Sequence, residues 1–128
     1  MNRSLDALHP DFKAKAIELL ARAAEAGYPL MIIETLRTPE EHAANLAAGR
    51  SWTQHSKHLD GLAMDVAPYA TYQLHGANKL DWDAADPVWQ TLGEIGEKLG
   101  LRWGGRWQQK DMGHFELEEF VRPSPLTA

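Results

Sequence analysis

Three times along this chain a proline sits where a helix would begin and a glycine where it would end, and that punctuation fixes much of the architecture. Proline is preorganised for the first helical turn, and glycine readily takes the left-handed conformation that closes one. The first stretch runs from Pro10 to Gly27, with Phe12, Ala16, Leu19, Leu20 and Ala23 recurring as one apolar stripe. The second has Thr38 as its cap, Pro39 in the first turn and Glu41 completing a capping box, and closes at Gly49. The third starts at Asp86 (cap) and Pro87, carries Val88, Leu92, Ile95 and Leu99, and closes at Gly100.

Strand patterns fill the intervals. Leu30-Met31-Ile32-Ile33 reads as a short buried strand. From Gly61 the chain alternates, with Ala63, Asp65 and Ala67 facing one way and Leu62, Met64 and Val66 the other, as in a half-buried strand. Leu101-Arg102-Trp103 and His114 to Leu117 read as two more strands. Residues 50–60 are polar and loop-like, 68–85 read as a surface loop, and 104–113 as a loop or tight turn. The expected fold is therefore α+β, a small antiparallel sheet packed against about three helices. At 128 residues the chain suits one domain spanning 1–128, with a frayed tail from about residue 118 that includes Arg122-Pro123-Ser124-Pro125.

Composition removes several function classes. With 44% hydrophobic and 24% charged residues the chain resembles an ordinary globular domain. A formal net charge of −5 without a basic stripe argues against a nucleic-acid groove, because such binding rests on neutralising phosphates. Asp6, His9, Asp11 and Lys13 interrupt any apolar signal core, so cytoplasmic synthesis without a signal peptide is expected. The run from Tyr28 to Ile33 is too short to span a membrane and contains Pro29. There are no cysteines, so a transition metal would have to be held by histidine and carboxylate.

Three residues then stand out: His58 at the end of a polar loop, Asp65 within a strand, and His114 opening the last strand. Two imidazoles and one carboxylate form a sensible zinc set, with a fourth position left for water. Zinc lowers the pKa of bound water to about 7, and amide hydrolysis still needs a proton carrier. Asp111, three residues before His114, and Glu116, two residues after it, compete for that role, and spacing alone leaves them nearly even. Glu116 also suits a supporting position behind a ligand. Arg37, just before the Thr38 cap, could project a cation over the site or merely pair with a nearby glutamate. A solitary loop histidine is more often solvated or hydrogen-bonded than metal-bound. His55 is a competing ligand, His42 is expected to be exposed, and His9 and His75 read as surface residues. Trp103, Trp107 and Trp52 suit core packing, although one of them could line a peptide groove. The acidic stretch around Asp81, Asp83 and Asp86 reads as a solvated loop.

The string Ser56-Lys57-His58-Leu59-Asp60-Gly61-Leu62-Ala63-Met64-Asp65 fills every fixed position of a Ser-x-His-x-x-Gly-x-Ala-x-Asp pattern. Trp103-Gly104-Gly105-x-Trp107, followed by Asp111-x-x-His114-Phe115-Glu116, supplies a second half. In this order the two motifs resemble the VanY-like D-alanyl-D-alanine carboxypeptidase family of zinc peptidases, and most of all its L-alanyl-D-glutamate endopeptidase branch, which includes phage endolysins. The resemblance implies a hedgehog/D-Ala-D-Ala-peptidase-like fold. It also implies that His58, Asp65 and His114 bind Zn2+, that Asp111 is the catalytic acid/base, that Arg37 assists near the scissile carbonyl, and that Ser56 supports the site. Aspartate at 111, where carboxypeptidase relatives tend to carry glutamate, favours the endopeptidase branch. The implied substrate is the peptidoglycan stem peptide, cleaved between L-Ala and D-Glu by a zinc-bound water. Its carboxylates would suit Arg37 first and Arg106 second, with Trp107 beside the substrate. Small size and the lack of a visible wall-binding module suit a monomeric phage or prophage endolysin reaching the cell wall after release. The rivals are a D-Ala-D-Ala carboxypeptidase or dipeptidase on the same scaffold and a non-catalytic zinc module that binds the wall.

Overall fold

A computed structural model of the chain describes residues 1–51, 56–70 and 79–118. Among these residues three helices form, α1 (Pro10–Glu25), α2 (Pro39–Ala47) and α3 (Val88–Lys98), with four strands, β1 (Leu30–Glu34), β2 (Ala63–Pro68), β3 (Leu101–Trp103) and β4 (His114–Leu117). The strands make one antiparallel sheet in the order β1-β2-β4-β3, so the architecture is the expected α+β.

Local chemistry sets the element ends. At α2 both arms of the capping box are present: the Thr38 hydroxyl accepts from the Glu41 amide at 3.1 Å, and the Glu41 carboxylate accepts from the Thr38 amide at 2.9 Å. Asp86 accepts from the Val88 amide at 2.9 Å just ahead of α3, which begins at Val88 with Pro87, one residue later than expected, in the cap position. His9 caps α1 through Nδ1, which accepts from the Asp11 amide at 3.1 Å. This is a use of histidine that the sequence reading did not assign.

One face of the sheet carries Met64, Val66, Leu101, Trp103, Phe115 and Leu117 into a core with Phe12, Ala16 and Leu19 of α1 and Trp89 and Leu92 of α3. Helix α3 approaches through two glycines. A Cβ on Gly93 would stand 2.2 Å from the Trp103 ring, and one on Gly96 would stand 2.5 Å from Phe115. Gly93→Ala is therefore expected to overpack a buried ring and cost about 1–3 kcal/mol, outweighing alanine's better helix propensity. A thermal melt showing no destabilisation would remove this account of the packing.

Strand β2 departs from the half-buried expectation. It lies between β1 and β4, and Ala63 and Ala67 on its second face are as buried as Met64 and Val66, leaving only Asp65 partly open. That second face is the floor of the site. Within the expected 50–60 loop, Lys57–Asp60 form a short 3-10 turn, and Gly104–Arg106 form another at the start of the 104–113 segment. Within the expected 68–85 loop, Tyr69 pairs with Leu80. Trp52, His55, His75 and the tail from residue 119 lie outside the described residues.

Candidate metal centre and its cleft

His58 is placed by its turn. The Ser56 hydroxyl accepts from the His58 amide at 3.2 Å to start the turn, and Gly61 ends it at φ 69°, in the left-handed region where glycine is favoured. The His58 ring then stands with Nδ1 2.7 Å from the Thr35 carbonyl. A carbonyl only accepts, so Nδ1 carries the proton and Nε2 presents a lone pair. That Nε2 is buried and has no hydrogen-bond partner among the described residues. It lies 3.3 Å from Asp65 Oδ1.

Asp65 and His114 are directly paired across β2 and β4, which puts both side chains on the same face. Asp65 Oδ1 is 3.0 Å from His114 Nδ1, and His114 Nε2 is 2.8 Å from Glu116 Oε1. One ligand atom from each of His58, Asp65 and His114 falls within 4.8 Å of the others. Tetrahedral zinc with bonds near 2.0–2.1 Å holds its ligand atoms roughly 3.3 Å apart, a spacing matched by the 3.0 and 3.3 Å between Asp65 and the two imidazoles. Thr35 behind His58 and Glu116 behind His114 are partners of the kind that orient an imidazole toward a metal.

Electrostatics follow this geometry. Burial works against charging His114, but hydrogen bonds to Asp65 and Glu116 outweigh it and push the imidazole up to about 9 in the metal-free protein. Burial likewise works against the Asp65 carboxylate, yet the two imidazoles hold it well below the usual range. An ion must therefore displace a proton from His114 at neutral pH. Zinc binding at pH 7 is expected to release about one proton at this residue, and affinity should rise about tenfold per pH unit until about pH 9. Calorimetry in buffers of different ionisation enthalpy reads the proton directly, and a pH-independent affinity would contradict this.

The triplet opens into a cleft of about 400 Å³ also lined by Arg37, Arg50, Lys57, Arg102, Trp107 and Asp111. Asp111 is held by its amide, which donates to the Gly104 carbonyl at 3.0 Å, and its Oδ2 stands 3.9 Å from His114 Nδ1. Its pKa is raised, first by burial and then by the charge of Asp65. Glu116 faces differently: beside its bond to His114 it lies 3.2 Å from Lys57 Nζ. Arg37 stands three residues beyond β1, where its guanidinium donates to Glu34 and lies 3.3 Å from His42 Nδ1. It both pairs with a glutamate and lines the cleft. His42 is buried, contrary to expectation, because α2 turns it toward Arg37.

The other expected residues divide. Trp107 lies against the site, its ring 4.9 Å from that of His114. Arg106 is not brought there. It donates to Glu97 at 2.9 and 3.1 Å and lies over Trp103, facing a second cavity. Trp103 is a core residue whose Nε1 donates to the Met112 carbonyl at 2.7 Å. Sequence reasoning missed Arg50, Lys57 and Arg102 in the cleft. Strand alternation could have found Arg102, which sits between two inward apolar residues. Nothing in the local pattern marks Arg50.

A His-Asp-His triplet on a sheet face, its two imidazoles buried and its carboxylate partly open to a polar cleft with a further carboxylate at its edge, is the layout of a metal-dependent hydrolase. Residues 49–117 match the M15 peptidases described as D-alanyl-D-alanine carboxypeptidase, and the chain belongs to that family. It is 31% identical to the L-alanyl-D-glutamate peptidase of Escherichia phage T5 over 83% of this chain and 80% of that protein. It is 33% identical to the enzyme of the same name from Listeria phage A118 over 81% of this chain, which spans only 35% of that longer protein. Among solved structures it is similar to the Serratia marcescens L-Ala D-Glu endopeptidase ChiX, with a TM-score of 0.68, 28% identity, and coverage of 88% of this chain and 82% of that one.

Proposed function

We propose that this chain is a zinc endopeptidase that hydrolyses the L-Ala–D-Glu bond of peptidoglycan stem peptides. The observation that carries the reading is the His58 Nε2 lone pair, buried, unpartnered among the described residues and aimed at Asp65 and His114. A buried polar atom without a partner is costly, and a shared cation removes that cost. Zinc bound there would lower the pKa of a water to about 7 and polarise the scissile carbonyl.

The chain's own residues do the rest. Asp111, at the cleft edge and with a raised pKa, accepts the attacking water's proton and returns it to the leaving nitrogen. Arg37, steadied by Glu34, offers donors to the developing oxyanion. Glu116 keeps the His114 Nε2 proton in place, so that Nδ1 faces the ion. Ser56 fixes the turn that carries His58. The phage origin and names of the relatives support an endolysin setting at the cell wall. No helix among the described residues is long and apolar enough to cross a membrane.

Metal analysis of the purified protein, followed by mass spectrometry of digested peptidoglycan, tests the reading. One zinc per chain and new L-alanine and D-glutamate termini are expected. The family's own description keeps a carboxypeptidase as the second reading. Release of free D-alanine with the L-Ala–D-Glu bond intact would select it.

A further inference from the structure

The cleft gathers cations in a chain whose formal net charge is −5. Arg37, Lys57 and Arg50 have partners within the protein: Glu34 for the first, Glu116 and the Leu117 carbonyl for the second, and Asn45 for the third. Arg102 is held far more loosely. In β3 its neighbours Leu101 and Trp103 turn into the core, so its side chain takes the cleft face, half exposed. Its ion pair among the described residues is with Glu116, at 3.8 Å. That carboxylate is already engaged by His114 at 2.8 Å and Lys57 at 3.2 Å. The Arg102 guanidinium thus keeps donor capacity at the cleft wall.

Register fixes where that capacity lies. Arg102 is paired with Glu116 across β3 and β4, while Asp65 is paired with His114. Arg102 therefore stands diagonal to His114, one strand over and one side-chain row along, roughly 8 Å away, and two strands from Asp65. A long guanidinium there can reach an anion a few bonds from the amide being cleaved. A glutamyl residue whose amine forms that amide has two carboxyl groups, and the chain can continue through only one. Unless it is amidated, the other is left as a free carboxylate close to the scissile bond.

We propose that Arg102 binds this carboxylate and makes the enzyme select a glutamyl residue over its amidated counterpart. The proposal rests on the endopeptidase reading above. Arg102 is a specificity-determining residue here, lining both cavities, whereas Arg106 does not line the cleft and is committed to a bidentate pairing with Glu97.

The test uses two stem peptides that are identical except that the glutamyl carboxylate is free in one and a carboxamide in the other. The zinc-loaded protein is expected to favour the free acid about thirtyfold in kcat/KM, the size of one charge-assisted hydrogen bond. In Arg102→Gln the ratio should fall to near one, and Arg102→Lys should restore part of it. A role confined to propping Glu116 would slow both peptides alike and leave the ratio intact, which would overturn the proposal. So would a wild-type protein that does not discriminate. If neither peptide is cleaved by zinc-loaded protein, the endopeptidase reading fails on its own. Equilibrium binding of the same pair then decides the subsite: a preference lost in Arg102→Gln upholds it, and equal binding overturns it.

Discussion

Replacing His58 with alanine is expected to strip the metal and abolish hydrolysis together. The imidazole bridges the Thr35 carbonyl on one side, at 2.7 Å, and the Asp65–His114 pair on the other, at 3.3 Å from Asp65. Without it an ion there would keep two protein ligands in place of three. Losing only an outer partner of a metal ligand typically costs about 10–100-fold in affinity, and losing the ligand itself costs more. The bound zinc should then fall to near zero on dialysis against a weak chelator, with activity following it. The Thr35 carbonyl also loses its donor in a fully buried position, so a drop of about 1–3 kcal/mol in stability should accompany the loss. Inductively coupled plasma mass spectrometry beside a turnover assay reads both effects. A variant with full zinc and full activity would remove His58 from the centre.

Much of the candidate site was legible in the sequence because Asp65 and His114 sit on elements with strong local signals. Alternation from Gly61 put Asp65 on one strand face, and the opening of the last strand put His114 beside it. The structure brings the two into direct cross-strand register. The capping box at Thr38 and the Asp86–Pro87 start were legible for the same reason, since such contacts join residues two or three apart. What remained hidden depends on contacts remote in sequence. His42 reads as a surface residue on a short amphipathic helix, and only the arrival of Arg37 from the loop after β1 makes it an inside one. Arg106 and Arg102 are nearly equivalent as letters. Their separation follows from β3 ending at Trp103, after which the chain turns and carries Arg106 to Glu97. The burial of Ala63 and Ala67 is also a tertiary fact, because alternation shows that a strand has two faces and not that both are covered.

The choice between two nearby carboxylates is where a substitution should cut most cleanly. Asp111→Asn is expected to keep its zinc and lose hydrolysis by about a hundredfold to ten-thousandfold, the usual worth of a positioned acid or base. The amide is nearly isosteric, and the Asp111 backbone is tied to Gly104 at 3.0 Å, so the loop should hold its shape. What disappears is a group able to take a proton and return it. Glu116→Gln predicts the opposite pattern. Glu116 lies behind His114, 2.8 Å from the nitrogen that faces away from Asp65 and 3.2 Å from Lys57, with its pKa lowered because those cations outweigh its burial. An amide there still accepts a hydrogen bond from Nε2 but no longer balances the Lys57 charge. Its loss should therefore appear as zinc affinity weakened about 10–100-fold, with turnover largely recovered at saturating zinc. Measuring activity against zinc concentration for both variants separates a proton carrier, whose defect no amount of metal repairs, from a positioning residue, whose defect it does. If saturating zinc rescued Asp111→Asn and not Glu116→Gln, the two roles would have to be exchanged.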